Sequence, residues 1–289
     1  MARLDASIRK ALPEQDDLKA RREHCSVESR LLAAIGREVG QQVRIERDGT
    51  DERGLYTVSE ANPDTRNVVR MGLLGRERLG TSDVFAGVID AQVPNPAMSD
   101  ADAERHDEFI ERLDDDGNQS AFIAIAPHGG DIEPHTDEQA ELVALALNAS
   151  SWRCKGWHHR GAKAHWHITA GEIKEASFPL LGTVMTRGFT YAVAFHGLDD
   201  EVIIIGGTAP DTLKHEVKGA LEVATSGSGI VVRVAGPDDV FGGDDPNNIV
   251  NRLTAGGANG IQIEQGPQAR ADFGQAIAGA VVDVYRPRL

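Results

Sequence analysis

Three short apolar runs of this sequence each lead into a residue that can bind a metal ion or carry a proton. AFIAIA is followed by PHGGDIE, which places His128 and Glu133 five positions apart with two glycines between them. YAVAF leads into His196, and GIQI leads into Glu264. Ligands of open α/β sheets bind beyond the carboxyl ends of the strands, so these four residues are the first candidates for a site.

Two histidines and one carboxylate are the ligand set of many catalytic zinc sites, whose fourth position is kept for water. The sequence therefore predicts that His128, Glu133 and His196 bind Zn²⁺, which lowers the pKa of a coordinated water to about 7. Glu264 is then available as the general base. Each signal alone also fits a hydrogen-bonded structural residue, and the prediction depends on their combination.

A second histidine-rich segment, WHHRGAKAHWHIT, lies between two of these motifs. We expect His165 and His167 to project from one face of a strand, and His158 and His159 to lie in a solvated loop. The basic residues of this region stand among three tryptophans and fit either an anion-binding patch or a loop that covers the core: Arg153, Lys155, Arg160 and Lys163.

Strands that are apolar at every position are buried on both faces, so residues 120–289 predict an α/β domain. Its expected architecture is a mixed, mostly parallel central sheet flanked by helices, with a C-terminal helix that has Pro267 in its first turn. Before it, the helix-like spacing of SVESRLLAAIGREVG predicts a helical arm over 1–40. Alternating β-prone runs predict a small β-rich domain over 41–93, and polar, acidic residues predict a connector with one short helix over 94–119.

The composition narrows the possible partners. The 289 residues carry 30 Lys and Arg against 45 Asp and Glu, a formal charge of −15, which argues against general affinity for nucleic acid.

No run approaches the roughly 20 apolar residues that a membrane span needs. With two cysteines and no apolar leader segment, the expected location is the cytoplasm. The expected partner is an amide substrate, and the sequence does not indicate an oligomeric state.

Over roughly residues 120–289 the chain resembles the poly-γ-glutamate hydrolases, zinc amidohydrolases once described as phage-related replication proteins. The resemblance is carried by APHGGDIEPHTDEQA, HWHITA, AFHG before IIIGG, and GIQIEQGPQAR. It implies a carboxypeptidase-like fold, zinc bound by the two histidines and the glutamate named above, and Glu264 as the catalytic glutamate. It also implies substrate contacts from His167 and Arg270, although Arg270 equally fits a solvent-facing arginine in a first helical turn.

The expected function is therefore zinc-dependent hydrolysis of γ-glutamyl or related peptide and N-acyl amide bonds. A charge of −15 repels a polyanion at long range, which favours a smaller substrate unless a basic patch surrounds the cleft. The alternative is a catalytically degenerate member that acts as a binding module through its N-terminal β domain. A nucleic-acid role has only the old description of the family in its favour.

Overall fold

The computed structural model describes residues 2–117 and 120–289. Residues 1, 118 and 119, which fall in the predicted arm and connector, lie outside the described residues. The chain divides into two compact units. We call Met1–Ala97 with His158–Pro179 the barrel unit, and Met98–Trp157 with Leu180–Leu289 the sheet unit.

The strands of the described residues are, in chain order, β1 (Arg3–Lys10), β2 (His24–Glu28), β3 (Gln42–Arg47), β4 (Arg53–Asn62), β5 (Val68–Met71), β6 (Phe85–Asp90), β7 (Phe109–Asp114), β8 (Phe122–Gly130), β9 (Ser150–Gly156), β10 (Tyr191–Gly197), β11 (Val202–Gly206), β12 (Val231–Val234) and β13 (Gly260–Gln265).

The α-helices are α1 (Asp16–Ala20), α2 (Ser29–Ala34), α3 (Leu73–Glu77), α4 (Asp100–Arg105), α5 (Thr136–Leu147), α6 (Ala162–Trp166), α7 (Pro179–Val184), α8 (Asp211–Ala224), α9 (Ile249–Arg252) and α10 (Pro267–Tyr285). Short 3₁₀ turns cover Glu175–Ser177, Ala255–Gly257 and Arg286–Arg288.

The barrel unit is built on a closed barrel with the strand order β1-β5-β2-β4-β3-β6. Buried side chains of the unit form a hydrophobic core that includes Ile8, Val27, Ile45, Tyr56 and Val69. The structure differs here from the helical arm predicted over 1–40, because β1 and β2 are barrel strands and only α1 and α2 are helical. The barrel pairs β1 with β5 across more than fifty residues, and local sequence patterns do not reveal such non-local pairing.

Residues 158–179 belong to the barrel unit although they lie far along the chain. Gln42 of β3 holds this segment, since its side-chain amide donates to Glu172 O (2.8 Å) and accepts from Lys174 N (3.0 Å). The predicted strand in HWHIT is wrong, because Ala162–Trp166 forms α6. Gly161, at a φ of 99°, starts this turn, and His165 Nδ1 donates to Gly161 O and closes it (3.0 Å).

The sheet unit holds a seven-stranded sheet in the order β12-β11-β13-β10-β8-β9-β7. Four neighbouring pairs are parallel, while β11–β13 and β7–β9 are antiparallel. The chain is thus a mixed α/β protein with two sheets, and the apolar runs AFIAIA, YAVAF, VIII and GIQI are strands as predicted. Strand β7 lies within the predicted connector, where the charges of FIERLD obscured an edge strand.

Helix α10 packs against both α5 and α8, and residues of these helices bury the main core of the sheet unit. Helix α5 contacts β8, β9 and β10, and α8 contacts β11 and β12. Within residues 2–117 and 120–289, no helix combines the length and the apolar character that crossing a membrane requires.

Candidate active site

His128 is aimed by an irregularity in β8. The register between β8 and β9 shifts between Ala126 and Gly129, so an extra residue is accommodated there and the strand turns locally. The absence of a side chain at Gly129 allows the backbone of β8 to lie close to Asp137, because a Cβ on Gly129 would lie 2.5 Å from the Cβ of Asp137. The turn that follows is closed by a bond from Glu133 N to His128 O (2.8 Å), which brings the two side chains of His-x4-Glu together.

His196 reaches the same point from the carboxyl end of β10, which is parallel to β8. His128 Nδ1 lies 3.1 Å from Glu133 Oε2, and His196 Nδ1 lies 3.2 Å from His128 Nδ1 and 3.6 Å from Glu133 Oε2. All three side chains are buried. The convergence that the sequence predicted for these residues is therefore present in the sheet unit.

The electrostatics of this group favour a bound cation. Burial acts to raise the pKa of Glu133, but the charges and hydrogen bonds of His128 and His196 outweigh it and hold the pKa well below its usual range. When the two imidazoles lose their protons, they and the ionised carboxylate turn three acceptor atoms toward one point, so a bound cation can take the place of the imidazolium charges. The nitrogen and oxygen atoms of the three side chains lie 3.1–3.6 Å from one another. In a tetrahedral zinc site with bonds of about 2.0–2.2 Å, the ligand atoms lie ~3.3–3.5 Å apart, which falls within this range. The residues present fit a zinc ion.

Glu264 stands beside this group on β13. In the parallel pairing of β10 and β13, His196 is the register partner of Glu264, so the two side chains project from the same face of the sheet. Glu264 is buried, and its Oε1 accepts a hydrogen bond from Gln262 Nε2 (2.9 Å). Asn248 Nδ2 in turn donates to Gln262 Oε1 (2.7 Å), which fixes the Gln262 amide. The sequence analysis did not identify Gln262, although its alternation with two isoleucines in GIQIE places it on the face of Glu264.

Arg270 lies in the first turn of α10 and is 91% buried, so it is not the solvent-facing arginine of the alternative prediction. Burial lowers the pKa of its guanidinium, while the negative charges of Glu133, Asp199 and Glu264 act to raise it. An arginine stays protonated at neutral pH under such influences. Arg270 therefore supplies a positive charge within the field of both glutamates of the group.

The remaining predicted site residue, His167, belongs to the barrel unit, where its Nδ1 pairs with Glu23 Oε1 (2.6 Å). The same unit holds a second set of potential metal ligands, Glu52, His158 and His165. The rings of His158 and His165 are stacked, with centroids 3.5 Å apart and planes 12° apart. The lone pairs of stacked imidazoles lie in parallel planes and do not converge, so this set fits a metal poorly.

The comparisons with known proteins cover mainly the sheet unit. The sequence profile of the family described as Poly-gamma-glutamate hydrolase matches residues 98–279. No similar protein was found among curated sequences.

Similar solved structures include a bacteriophage poly-gamma-glutamate hydrolase and the zinc-free apo form of YNDL. The first is 23% identical, with a TM-score of 0.51 over 62% of this chain and 89% of that chain. The second is 22% identical, with a TM-score of 0.51 over 62% of this chain and 90% of that chain. At these identities the structures show a shared fold, and the family profile extends over more than half of the sequence. The chain belongs to the poly-gamma-glutamate hydrolase family.

Proposed function

We propose that the sheet unit is a zinc-dependent amidohydrolase that cleaves γ-glutamyl amide bonds, as in poly-γ-glutamate or related peptide and N-acyl substrates. The observation that carries this proposal is the approach of His128 Nδ1, His196 Nδ1 and Glu133 Oε2 to within 3.1–3.6 Å of one another. We further propose a carboxypeptidase-like arrangement, with helices on both sides of the sheet and the site at its strand ends. We also propose that the protein is located in the cytoplasm, as expected from the sequence.

The metal would be held by His128, Glu133 and His196. The existence of a zinc-free form of YNDL supports zinc as the ion in this family. A bound zinc acts as a Lewis acid and lowers the pKa of a coordinated water to about 7. The hydrogen bond from Gly197 N to Glu133 Oε2 (2.9 Å) orients the carboxylate that would serve as a ligand.

Glu264 would act as the general base and then as the general acid. Its carboxylate accepts the proton of the attacking water and afterwards returns it to the leaving amine. The bond from Gln262 holds one carboxylate oxygen, so the other is oriented for proton transfer. Burial excludes competing water and strengthens the electrostatic interactions of the group.

Arg270 would bind negative charge on the substrate. Its Nε is buried and makes no hydrogen bond within the described residues, which supports a role in holding a ligand oxyanion or carboxylate. His167 stays a proposed substrate contact. The proposed partner is an amide-containing small molecule or polypeptide rather than a nucleic acid, because the sheet unit carries a large negative charge.

The experiment compares wild type with Glu264→Gln, using zinc-loaded full chain and γ-linked glutamate oligomers. We expect turnover to fall by at least about 100-fold, because a positioned base contributes ~10²–10⁴-fold. The zinc content should be unchanged. Normal hydrolysis by the variant would overturn the assignment of the base. A zinc-containing wild type that cleaves neither γ-glutamyl nor other amide substrates would favour the degenerate binding module instead.

A further inference from the structure

The charges of the chain are divided unevenly between the two units. In the barrel unit, Lys and Arg number 18 and Asp and Glu number 18, so it is formally neutral. The sheet unit carries 12 basic and 27 acidic residues, which is the whole formal charge of −15. An acidic substrate polymer is therefore repelled by the unit that carries the candidate active site. A polymer-binding site on this protein is more favourably placed on the barrel unit.

The barrel unit contains a cavity of about 360 Å³ whose lining is mainly basic. Its lining residues are Arg22, Leu74, Glu77, Arg78, Arg160, Ala164 and His165. The lining thus contains three guanidinium groups and one carboxylate. The volume lies within the ~300–1,000 Å³ that is usual for small-molecule sites.

Arg78 is the fixed element of this cavity. Its side chain is buried, and its guanidinium donates to backbone carbonyls: Nε to Ala164 O (2.6 Å) and Nη2 to His165 O (2.7 Å). Carbonyl oxygens satisfy the donors without neutralising the charge. The cation also lies over the ring of Tyr56, 4.9 Å from its centroid, which further fixes its position.

Arg22 places a second positive charge beside the first. Burial lowers the pKa of Arg78, and the charge of Arg22 acts in the same direction, whereas Tyr56 and Glu23 oppose it. The side chain of Arg22 is exposed, and within the described residues its Nη2 makes a single, long hydrogen bond, 3.5 Å, to Ala164 O. Two neighbouring guanidiniums repel each other, and an anion between them relieves the repulsion. Arg160 contributes less, because its Nη1 is paired with Glu52 Oε1 (2.5 Å).

We propose that this cavity, centred on Arg22 and Arg78, binds the carboxylates of a polyglutamate-type chain and holds the polymer on the barrel unit. The proposal rests on the proposed function, which supplies the polymer as substrate. The exposed guanidinium of Arg22 can bind a planar carboxylate through paired hydrogen bonds. Arg78, whose nitrogens already donate to backbone carbonyls, contributes its positive charge instead. The lining residues include no Phe, Tyr or Trp on which a base could stack, which favours a carboxylate chain over single-stranded nucleic acid.

The test measures binding of fluorescently labelled poly-γ-glutamate to the full chain by anisotropy, in the Glu264→Gln background so that cleavage does not interfere. We expect Arg22→Glu to weaken binding by on the order of tenfold, and Arg22→Lys to weaken it less. The matched control is Arg30→Glu, since Arg30 is an exposed arginine of the same unit outside the cavity. Thermal unfolding of each variant checks that the fold is retained.

Unchanged binding by Arg22→Glu, or equal weakening by Arg30→Glu, would overturn the proposal. Competition by a single-stranded oligonucleotide that matched unlabelled γ-linked glutamate oligomers at equal charge would overturn the choice of ligand. The result also separates this site from the active site. If the wild type binds the polymer through Arg22 but lacks amidase activity, the cavity assignment stands and the proposed function is wrong. If the wild type has amidase activity but its polymer binding does not depend on Arg22, the proposed function stands and the cavity assignment is wrong.

Discussion

Gly197 lies directly against the guanidinium of Arg270, so closely that a Cβ on Gly197 would fall 1.3 Å from Arg270 Nη1. Gly197 also donates its N–H to Glu133 Oε2 (2.9 Å). A single glycine thus supports both a proposed metal ligand and the proposed substrate-binding arginine. Its lack of a side chain is what allows Arg270 to approach the glutamates of the candidate site.

Replacing Gly197 by alanine should mainly displace the Arg270 guanidinium, because the two closest atoms belong to the end of that flexible side chain. The Cβ of Glu133, 3.0 Å away, needs to shift by only a few tenths of an ångström, so we expect the fold to stay intact. We expect kcat/KM for γ-glutamyl substrates to fall on the order of 10- to 100-fold, the usual cost of a misplaced substrate contact. The measurement is a double-mutant cycle with Arg270→Ala. If Gly197 acts through Arg270, the double variant should be no worse than Arg270→Ala alone. Independent, additive losses would contradict this relationship.

Gln262 should act as a positioning residue for Glu264, because its amide donates to Glu264 Oε1 (2.9 Å). We expect Gln262→Leu to lower kcat by about tenfold, part of the ~10²–10⁴-fold that a positioned base supplies, with little change in KM. Zinc content should be retained. The matched control is Gln275→Leu, which changes an exposed glutamine of α10. A rise in KM without loss of kcat would indicate that Gln262 contacts substrate instead.

The apolar runs that lead to the candidate site residues were easier to interpret from the sequence than the strands of the barrel unit were. His128, His196 and Glu264 were identifiable as candidates because each follows an apolar run, and strands of a mostly parallel sheet bring such ends together. Glu133 was a candidate because it lies five positions after His128. Gly197 was not identifiable, since a glycine carries no functional group and its importance is a close approach in three dimensions. Such approaches depend on packing between elements that local sequence patterns do not encode.

The barrel unit shows the same limit at a larger scale. The strand β1 pairs with β5 and β6, and the segment 158–179 joins a unit whose other residues all precede position 98. Its attachment depends on bonds such as Gln42 Nε2 to Glu172 O, which join residues far apart in sequence. The neighbouring tryptophans and basic residues of 152–163 suggested a patch, but only the structure places Arg160 beside Arg22 and Arg78 in one cavity.

Loss of either imidazole should abolish tight zinc binding. Because His128 Nδ1 and His196 Nδ1 both lie within 3.6 Å of Glu133 Oε2, we expect His128→Ala and His196→Ala each to reduce zinc affinity by more than the ~10- to 100-fold typical of outer-shell changes. Zinc per chain after dialysis, measured by elemental analysis, reports the loss without an activity assay. The control is His215→Ala, an exposed histidine of α8. Full retention of zinc by both site variants would refute the ligand assignment.

The pair formed by Asp115 and Arg187 should make stability depend on pH in the acid range. Arg187 Nη2 donates to Asp115 Oδ2 (2.7 Å), and Ser150 Oγ donates to Oδ1 (2.7 Å). The hydrogen bond from Arg187 is the main cause that lowers the pKa of Asp115 to about 2, against about 3.9 in an unfolded chain. Ionised Asp115 therefore stabilises the native state above pH ~4, and this stabilisation is lost as the pH falls toward 2.

Because the pair is partly solvated, we expect Asp115→Asn to lower the free energy of unfolding by only about 1 kcal/mol at pH 7, less than the shift in pKa alone would give. The difference from wild type should shrink steadily between pH 4 and pH 2.5, because wild-type Asp115 becomes protonated there. Chemical denaturation at several pH values measures it, with the exposed Asp283→Asn as the control. A difference that stayed constant across this range would mean that the Asp115 charge does not stabilise the sheet unit.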